Sequence, residues 1–456
     1  MATQSRAEVK PEDLKAIDRE SMTPEQRYRA EFADEWRASL DRSTLEKPLA
    51  TADTPLDEID VSRPELYALD QWQPVFEKLR REDPVHYCKD SVYGSFWSLT
   101  TYKPIVHVEA LPDIFSSDWR NGGFTILNST DDKTIALPMF IGMDRPEHTA
   151  QRRTVSPAFT PSEMSRLDED VRRRTGELLD SLPIGETFDW VDTVSIELTT
   201  GMLAILFGFP WEDRRKLTEW SDWMGDVNAA MDPELGPVRM AKMYEAAAYF
   251  QALWKQRKES DPGPDLLSMM AHSEAMRDMD DRNFLGNITL LIVGGNDTTR
   301  NSMSGVAWFM DQFADQREKL ENNPGLIKNA VSETIRMQTP LAHMRRTAME
   351  DYELEGKQIK KGDKLIMWYI SANRDEEVFE NANEWIVDRE NARRQLAFGY
   401  GIHRCVGARL AELQLQILLE ELTARRLRPE IDGDIERVNS NFVHGYKYMP
   451  VKLAKY

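Results

Sequence analysis

Residues 398–407 read FGYGIHRCVG, and the strongly amphipathic ARLAELQLQILLEELTARR follows at once. Three glycines thus surround a thiol that stands just before a helix. The chain of 456 residues has two cysteines, Cys88 and Cys405, and neither belongs to a CxxC pair. A structural zinc site wants about four ligands and a disulfide framework wants more cysteines, so both are poorly supported. A thiolate is a strong metal ligand, and a helix N-terminus favours the anion through its free N–H groups and dipole. Gly399 and Gly401 can bend a preceding strand into a bulge, and Gly407 lets a flat group approach the backbone. N–H groups aimed at the sulfur would tune a metal held there. The construction fits a single axial thiolate beneath a planar cofactor. A dinucleotide-binding loop fits badly, because Arg404 stands where G-x-G-x-x-G needs its third glycine. Cys88 lies in VHYCKDSVYGSFWSLTTY, where alternating runs on either side of KDSVYG predict a hairpin and a half-buried strand thiol.

The remaining pattern predicts a mainly α fold with a smaller β-rich part. Residues 1–55 read as a polar extension and 56–456 as one domain, since no repeat or low-complexity linker divides them. A β-rich stretch ends near Tyr102, and a loop-like stretch runs from Leu111 to Pro146. From Glu147 onward the pattern is mostly helical, with 280–313 read as one long helix. Net charge is -20, which argues against general affinity for nucleic acid or anionic membranes. No apolar run approaches the ~18 residues of a membrane span, and the polar N-terminus reads as neither signal nor anchor. A cytoplasmic protein is expected.

Several clusters stay ambiguous on spacing alone. Glu333 and Arg336, at i and i+3 in SETIR, can pair on one helix face, and a solvated pair of that kind contributes well under ~1 kcal/mol. GGNDTT puts Gly294 and Gly295, both poor helix formers, before Asp297 and Thr298 in the long helix. That segment reads as an acid–alcohol pair in an opened helix, or as a threonine bonded to its own backbone. Between Glu390 and Glu412 there is no acidic residue, while Arg393, Arg394, Arg404 and Arg409 are basic.

F-G-x-G-x-H-x-C-x-G, carried by Phe398, Gly399, Gly401, His403, Cys405 and Gly407, resembles the heme-binding loop of the cytochromes P-450, the heme-thiolate monooxygenases. The resemblance spans about residues 60–456. It implies the fold of that family, heme b as cofactor with Cys405 as its axial thiolate, and heme lying between the long helix and the cysteine-loop helix. It also implies propionate contacts from His148 and Arg152 (H-x-x-x-R), Arg346 and His403. Glu333 and Arg336 become the family's buried structural pair, whose usual third member is left unassigned between Glu384 and Arg389. Gly294 and Gly295 would leave space above the heme. Thr298 and Asp297 would supply protons for heterolytic O–O cleavage. With no flavin or iron–sulfur module in the chain, electrons would come from a ferredoxin, its reductase and a nicotinamide cofactor. The arginines beside the thiolate would dock that acidic partner.

GGNDTTRNSMSG, PLAHMRRTAMEDYELEG and LAFGYGIHRCVGARLAELQ resemble more closely the bacterial alkane terminal-hydroxylase group. This implies O2-dependent hydroxylation at the chain ends of medium-chain alkanes or fatty acids. The pocket positions carried over are Leu290, Val293, Leu341, Ala342, Met344, Phe442 and Val443, all apolar. Met224, Met231, Met240 and Met243 fall in the expected lid, where adaptable side chains suit a flexible substrate. Two other readings stay open: a monooxygenase of terpenes or other compact apolar molecules, and a heme carrier or sensor without turnover.

Overall fold

The computed structural model describes residues 53–130, 137–226, 229–230, 232 and 234–456. The expected extension therefore lies almost wholly outside the described residues, as does Met231. Helices that build the site are α1 (Trp72–Glu82), α2 (Tyr102–Glu109), α3 (Glu147–Val155), α4 (Pro161–Ser181), α5 (Glu197–Phe207), α6 (Arg215–Gly225), α7 (Leu235–Lys258), α8 (Asp281–Gln312), α9 (Ile327–Gln338) and α10 (Ala408–Ala424). A mainly α fold with a smaller β part is what the sequence pattern predicts.

The long helix α8 matches its expected span closely. Asp280 caps it by accepting from Asn283 N–H, satisfying one of the amides that a helix start leaves free. Its two glycines do not interrupt it, contrary to expectation, because helical hydrogen bonding continues through them and α5 packs against Gly295. A Cβ on Gly295 would lie 2.6 Å from Leu203, so this glycine admits the apolar α5 rather than opening free space. Gly294 is different, since nothing lies within 4 Å of its missing Cβ.

The predicted hairpin is present as β1 (Val85–Cys88) and β2 (Phe96–Leu99), with Val85 opposite Leu99 and Cys88 opposite Phe96. Cys88 is buried rather than half-buried, packed with Phe96, Ile366 and Trp368. With β3 (Phe115–Ser116), β4 (Thr187–Asp189), β5 (Met344–Ala348) and β6 (Lys364–Met367), two sheets take shape. The larger has the order β1–β2–β6–β5–β3, with β2 and β6 parallel and the other neighbours antiparallel. β7 (Leu427–Ile431) and β8 (Pro450–Lys455) complete a second, antiparallel sheet in the order β4–β8–β7. One large apolar core joins α5, α6, α7 and the first half of α8. Another joins the second half of α8 to α9 and α10. Their meeting line is where the functional side chains gather. No helix among the described residues is long and apolar enough to cross a membrane.

Candidate active site

A cavity of about 460 Å3 lies between α8 and the cysteine loop. Cys405 opens onto it together with Phe398, Gly399, His403 and Gly407. From α8 come Leu290, Val293, Gly294, Gly295 and Thr298, and from the β5 side Leu341 and Met344, with Phe442 packed beside them. Met224, Met240 and Met243 close the wall from α6 and α7. Two expected pocket residues are not part of this wall. Ala342 follows Leu341 in extended chain, so its side chain turns the other way, into the cluster of Phe96, Ile366 and Trp368. Val443 bridges to Leu341 and lies 3.9 Å from where a Cβ on Gly225 would stand, so it supports the wall without lining it.

No strand precedes the cysteine loop. The chain runs in turns to a short 3-10 segment, Gly401–His403, and α10 starts only at Ala408. Cys405 N–H donates to Phe398 O at 2.8 Å and closes the loop. Gly399 and Gly401 both sit at φ +67°, and a Cβ on Gly401 would lie 2.4 Å from the Glu109 carbonyl oxygen. These glycines therefore let the end of α2 press against the loop, where the sequence pattern predicts a bulge. Burial pushes the Cys405 thiol above its ordinary pKa, against the Gly407 N–H and the charges of Arg152 and Arg404. The helix-terminus effect expected from sequence is thus outweighed, and a bound metal would be what makes the thiolate.

At one edge of the cavity stand His148, Arg152, Arg346 and His403, as expected. Both ring nitrogens of His148, Nδ1 of His403 and Nε of Arg346 are buried without a hydrogen-bond partner. His403 Nε2 meets Ser117 Oγ at 2.9 Å. Burial, together with neighbouring arginines, lowers His148 to about 4 and holds His403 well below its ordinary value. Unpartnered buried donors are costly, and a group bringing carboxylates here would satisfy them. A flat carboxylate-bearing cofactor with a metal facing Cys405 fits this donor set.

On α8, Thr298 and Asp297 point to different sides. Thr298 lines the cavity and its hydroxyl donates to Gly294 O at 2.7 Å, leaving lone pairs as acceptors. Asp297 is buried against α6, where its Oδ1 accepts from Ser221 Oγ (2.8 Å), Arg300 Nη2 (3.0 Å) and Asn296 Nδ2 (3.2 Å). A Cβ on Gly225 would meet the other carboxylate oxygen at 2.8 Å. Among the described residues no hydrogen bond joins Asp297 to Thr298, so the expected pair is adjacent in chain but not in contact. Arg300 also binds Asp222 at 2.8 Å, and that carboxylate is 47% exposed. A charged chain thus runs from solvent to the flank of the cavity. Burial raises Asp297 to about 6 despite Arg300. Arg300, Asp222 and Ser221 escaped the sequence reading, although Arg300 stands at i+3 from Asp297, a spacing that can signal a pair.

Glu333 and Arg336 form a two-pronged ion pair, both bonds at 2.8 Å and both side chains fully buried. Arg389 is the third member: its Nε lies 2.9 Å from Glu333 Oε1. Glu384 contributes only its backbone carbonyl, accepting from Arg336 and Arg389. Arg336 further donates to Asn373 O and Ala382 O, so the pair clamps the meander that leads into the cysteine loop. Removing one partner from such a buried pair typically costs about 3–5 kcal/mol.

Arg393, Arg394, Arg404 and Arg409 are exposed around this loop. Glu412 lies among three of them, its carboxyl raised by burial and lowered by Arg404, Arg393 and Arg409. The basic patch therefore has an acid at its margin.

A family model described as Cytochrome P450 matches residues 108–434. CYP153D17 from Sphingomonas sp. PAMC 26605 is 60% identical with TM-score 0.84, covering 88% of this chain and 100% of that one. Cytochrome P450-153 from Novosphingobium aromaticivorans is 57% identical with TM-score 0.83, covering 87% and 99%. Linalool 8-monooxygenase of Pseudomonas putida is 37% identical over 412 residues, 87% of this chain and 98% of the relative. The thiol-facing cavity and these likenesses agree, and the chain belongs to the cytochrome P450 family of monooxygenases, which hold heme through an axial cysteine thiolate.

Proposed function

We propose that the protein places one oxygen atom of O2 into the terminal C–H bond of an unbranched medium-chain alkane or fatty acid, with Cys405 as the axial ligand of its heme. The apolar wall of the cavity is the observation that carries this reading, together with the three segments that resemble the alkane terminal-hydroxylase group. When bound, heme supplies the oxidising chemistry. The chain's own residues hold it, orient the substrate, exclude water and move protons. His148, Arg152, Arg346 and His403 would bind the propionates. Thr298 presents a hydroxyl to the cavity beside Gly294, and Asp297 connects the flank of α8 to solvent through Arg300 and Asp222.

An alkane offers no polar group, so burial and shape alone orient it. At ~0.8 kcal/mol per buried CH2, eight carbons contribute roughly 6 kcal/mol before ordering costs, enough to bind but blind to direction. Methylene C–H bonds are weaker than methyl ones, so an open cavity would yield secondary alcohols. Terminal selectivity needs a constriction, and we assign it to Leu290, Val293 and Leu341, with Met344 and Phe442 behind them. Octane should give mainly 1-octanol, and Leu341→Ala or Val293→Ala should shift product toward 2-octanol. Predominantly internal alcohols from the unmutated enzyme would sink the terminal reading. The linalool-oxidising relative favours a second reading, a compact terpene substrate, and faster turnover of a monoterpene than of octane would select it.

Electrons are proposed to come from an acidic ferredoxin, with its reductase and a nicotinamide cofactor, docking at Arg393, Arg394, Arg404 and Arg409. Neutralising Arg404 or Arg409 should slow reduction of the protein by ferredoxin, and the loss should shrink as salt rises. A rate indifferent to both charge and ionic strength would contradict this surface.

A further inference from the structure

Glu109, the last residue of α2, is 3% exposed and lies in the cavity wall beneath the cationic edge. One carboxylate oxygen accepts from Tyr369 OH at 2.7 Å and from Arg346 Nη2 at 3.2 Å. The other accepts from the Tyr400 N–H, inside the cysteine loop, at 2.8 Å. Its own backbone carbonyl is the atom that forbids a side chain at position 401. One residue thus touches an edge arginine, a buried tyrosine and the loop that carries the thiol. Burial holds its carboxyl above the ordinary carboxylate value, although Arg346 and the two donors pull it back down.

We propose that Glu109 is a positioning residue that fixes Arg346 and the cysteine loop as one unit, and that its negative charge holds down the reduction potential of the heme. Arg346 also donates to the Arg345 carbonyl, and its Nε is left for a propionate. Shared between Glu109 and a propionate, the guanidinium gives only part of its charge to the heme. Reduction adds an electron, so an anion held nearby in a low-dielectric setting disfavours it, and loss of that anion favours it. The inference rests on heme bound in this cavity and not on which substrate is taken.

The test is a redox titration of the heme-loaded protein, with heme loss followed by transfer to excess apomyoglobin. Glu109→Gln, which keeps shape and removes charge, should raise the potential and speed heme loss by about tenfold, the scale of one charge-assisted hydrogen bond. Glu109→Asp keeps the charge and shortens the reach, so it should return the potential toward wild type while heme loss stays fast. A folded Glu109→Gln protein with wild-type potential overturns the proposal, even if its heme leaves faster, because the residue is then only structural. Should Glu109→Gln fail to fold, Tyr369→Phe decides: removing one donor changes how far the Glu109 charge is held and neutralised, and should therefore shift the potential. An unchanged potential in Tyr369→Phe overturns the proposal equally.

Discussion

Cys405→Ser is expected to abolish the red-shifted Soret band that the ferrous protein shows with carbon monoxide, and turnover with it. A serine hydroxyl is far harder to deprotonate than a thiol and binds iron as a hard oxygen donor, so the electron push of a thiolate is lost. The loop itself should persist, because its closing hydrogen bond uses the backbone N–H of residue 405. Heme content can therefore be measured separately from the band. Cys88→Ser is the control: that thiol is buried in the hairpin core opposite Phe96 and should leave the spectrum untouched. A Cys405→Ser protein that keeps the band ends the assignment of the ligand.

Thr298→Ala should retain heme and substrate binding yet spend electrons without oxidising substrate. The hydroxyl presented to the cavity at this position disappears, while the backbone of α8 keeps its own hydrogen bonds. Proton delivery then loses its aim, and product per nicotinamide consumed should fall by up to about 10²-fold, the lower end of what a positioned acid–base group contributes. Released hydrogen peroxide should rise in step. Thr298→Ser, which restores the hydroxyl, should recover most of the coupling. Equal peroxide and product yields in Thr298→Ala and wild type would remove the residue from the mechanism.

What the sequence made legible was local. The hairpin around KDSVYG, the long α8 and the helix after the cysteine loop follow from period and turn chemistry within single segments. The ten-residue loop is as readable, because its glycines, histidine and thiol are contiguous. Contacts made across the fold were not. Arg389 reaches Glu333 from 56 positions away, and Glu109 reaches Tyr400 from 291. Nothing local marks either. Ala342 and Val443 are apolar and adjacent to true wall residues, so composition could not tell which way the chain turns. Asp297 and Thr298 are neighbours in the chain, yet successive helical residues are rotated by about 100° and face different partners.

The clamp beneath the site also decides what a pH profile of this enzyme would mean. Burial would raise the Glu333 carboxyl, but Arg336, the Ile386 N–H and Arg389 bring it below its ordinary value. A carboxylate lowered on folding contributes stability that is complete above its unfolded pKa and is lost only as pH falls through the lower folded value. From about pH 5 to pH 8 the scaffold therefore neither gains nor loses stability through the Glu333 carboxylate. Asp297, which burial raises to about 6, and Asp189, raised to about 6 by burial at the end of β4, are then the two carboxyls to substitute with asparagine first in assigning an inflection in turnover over that window.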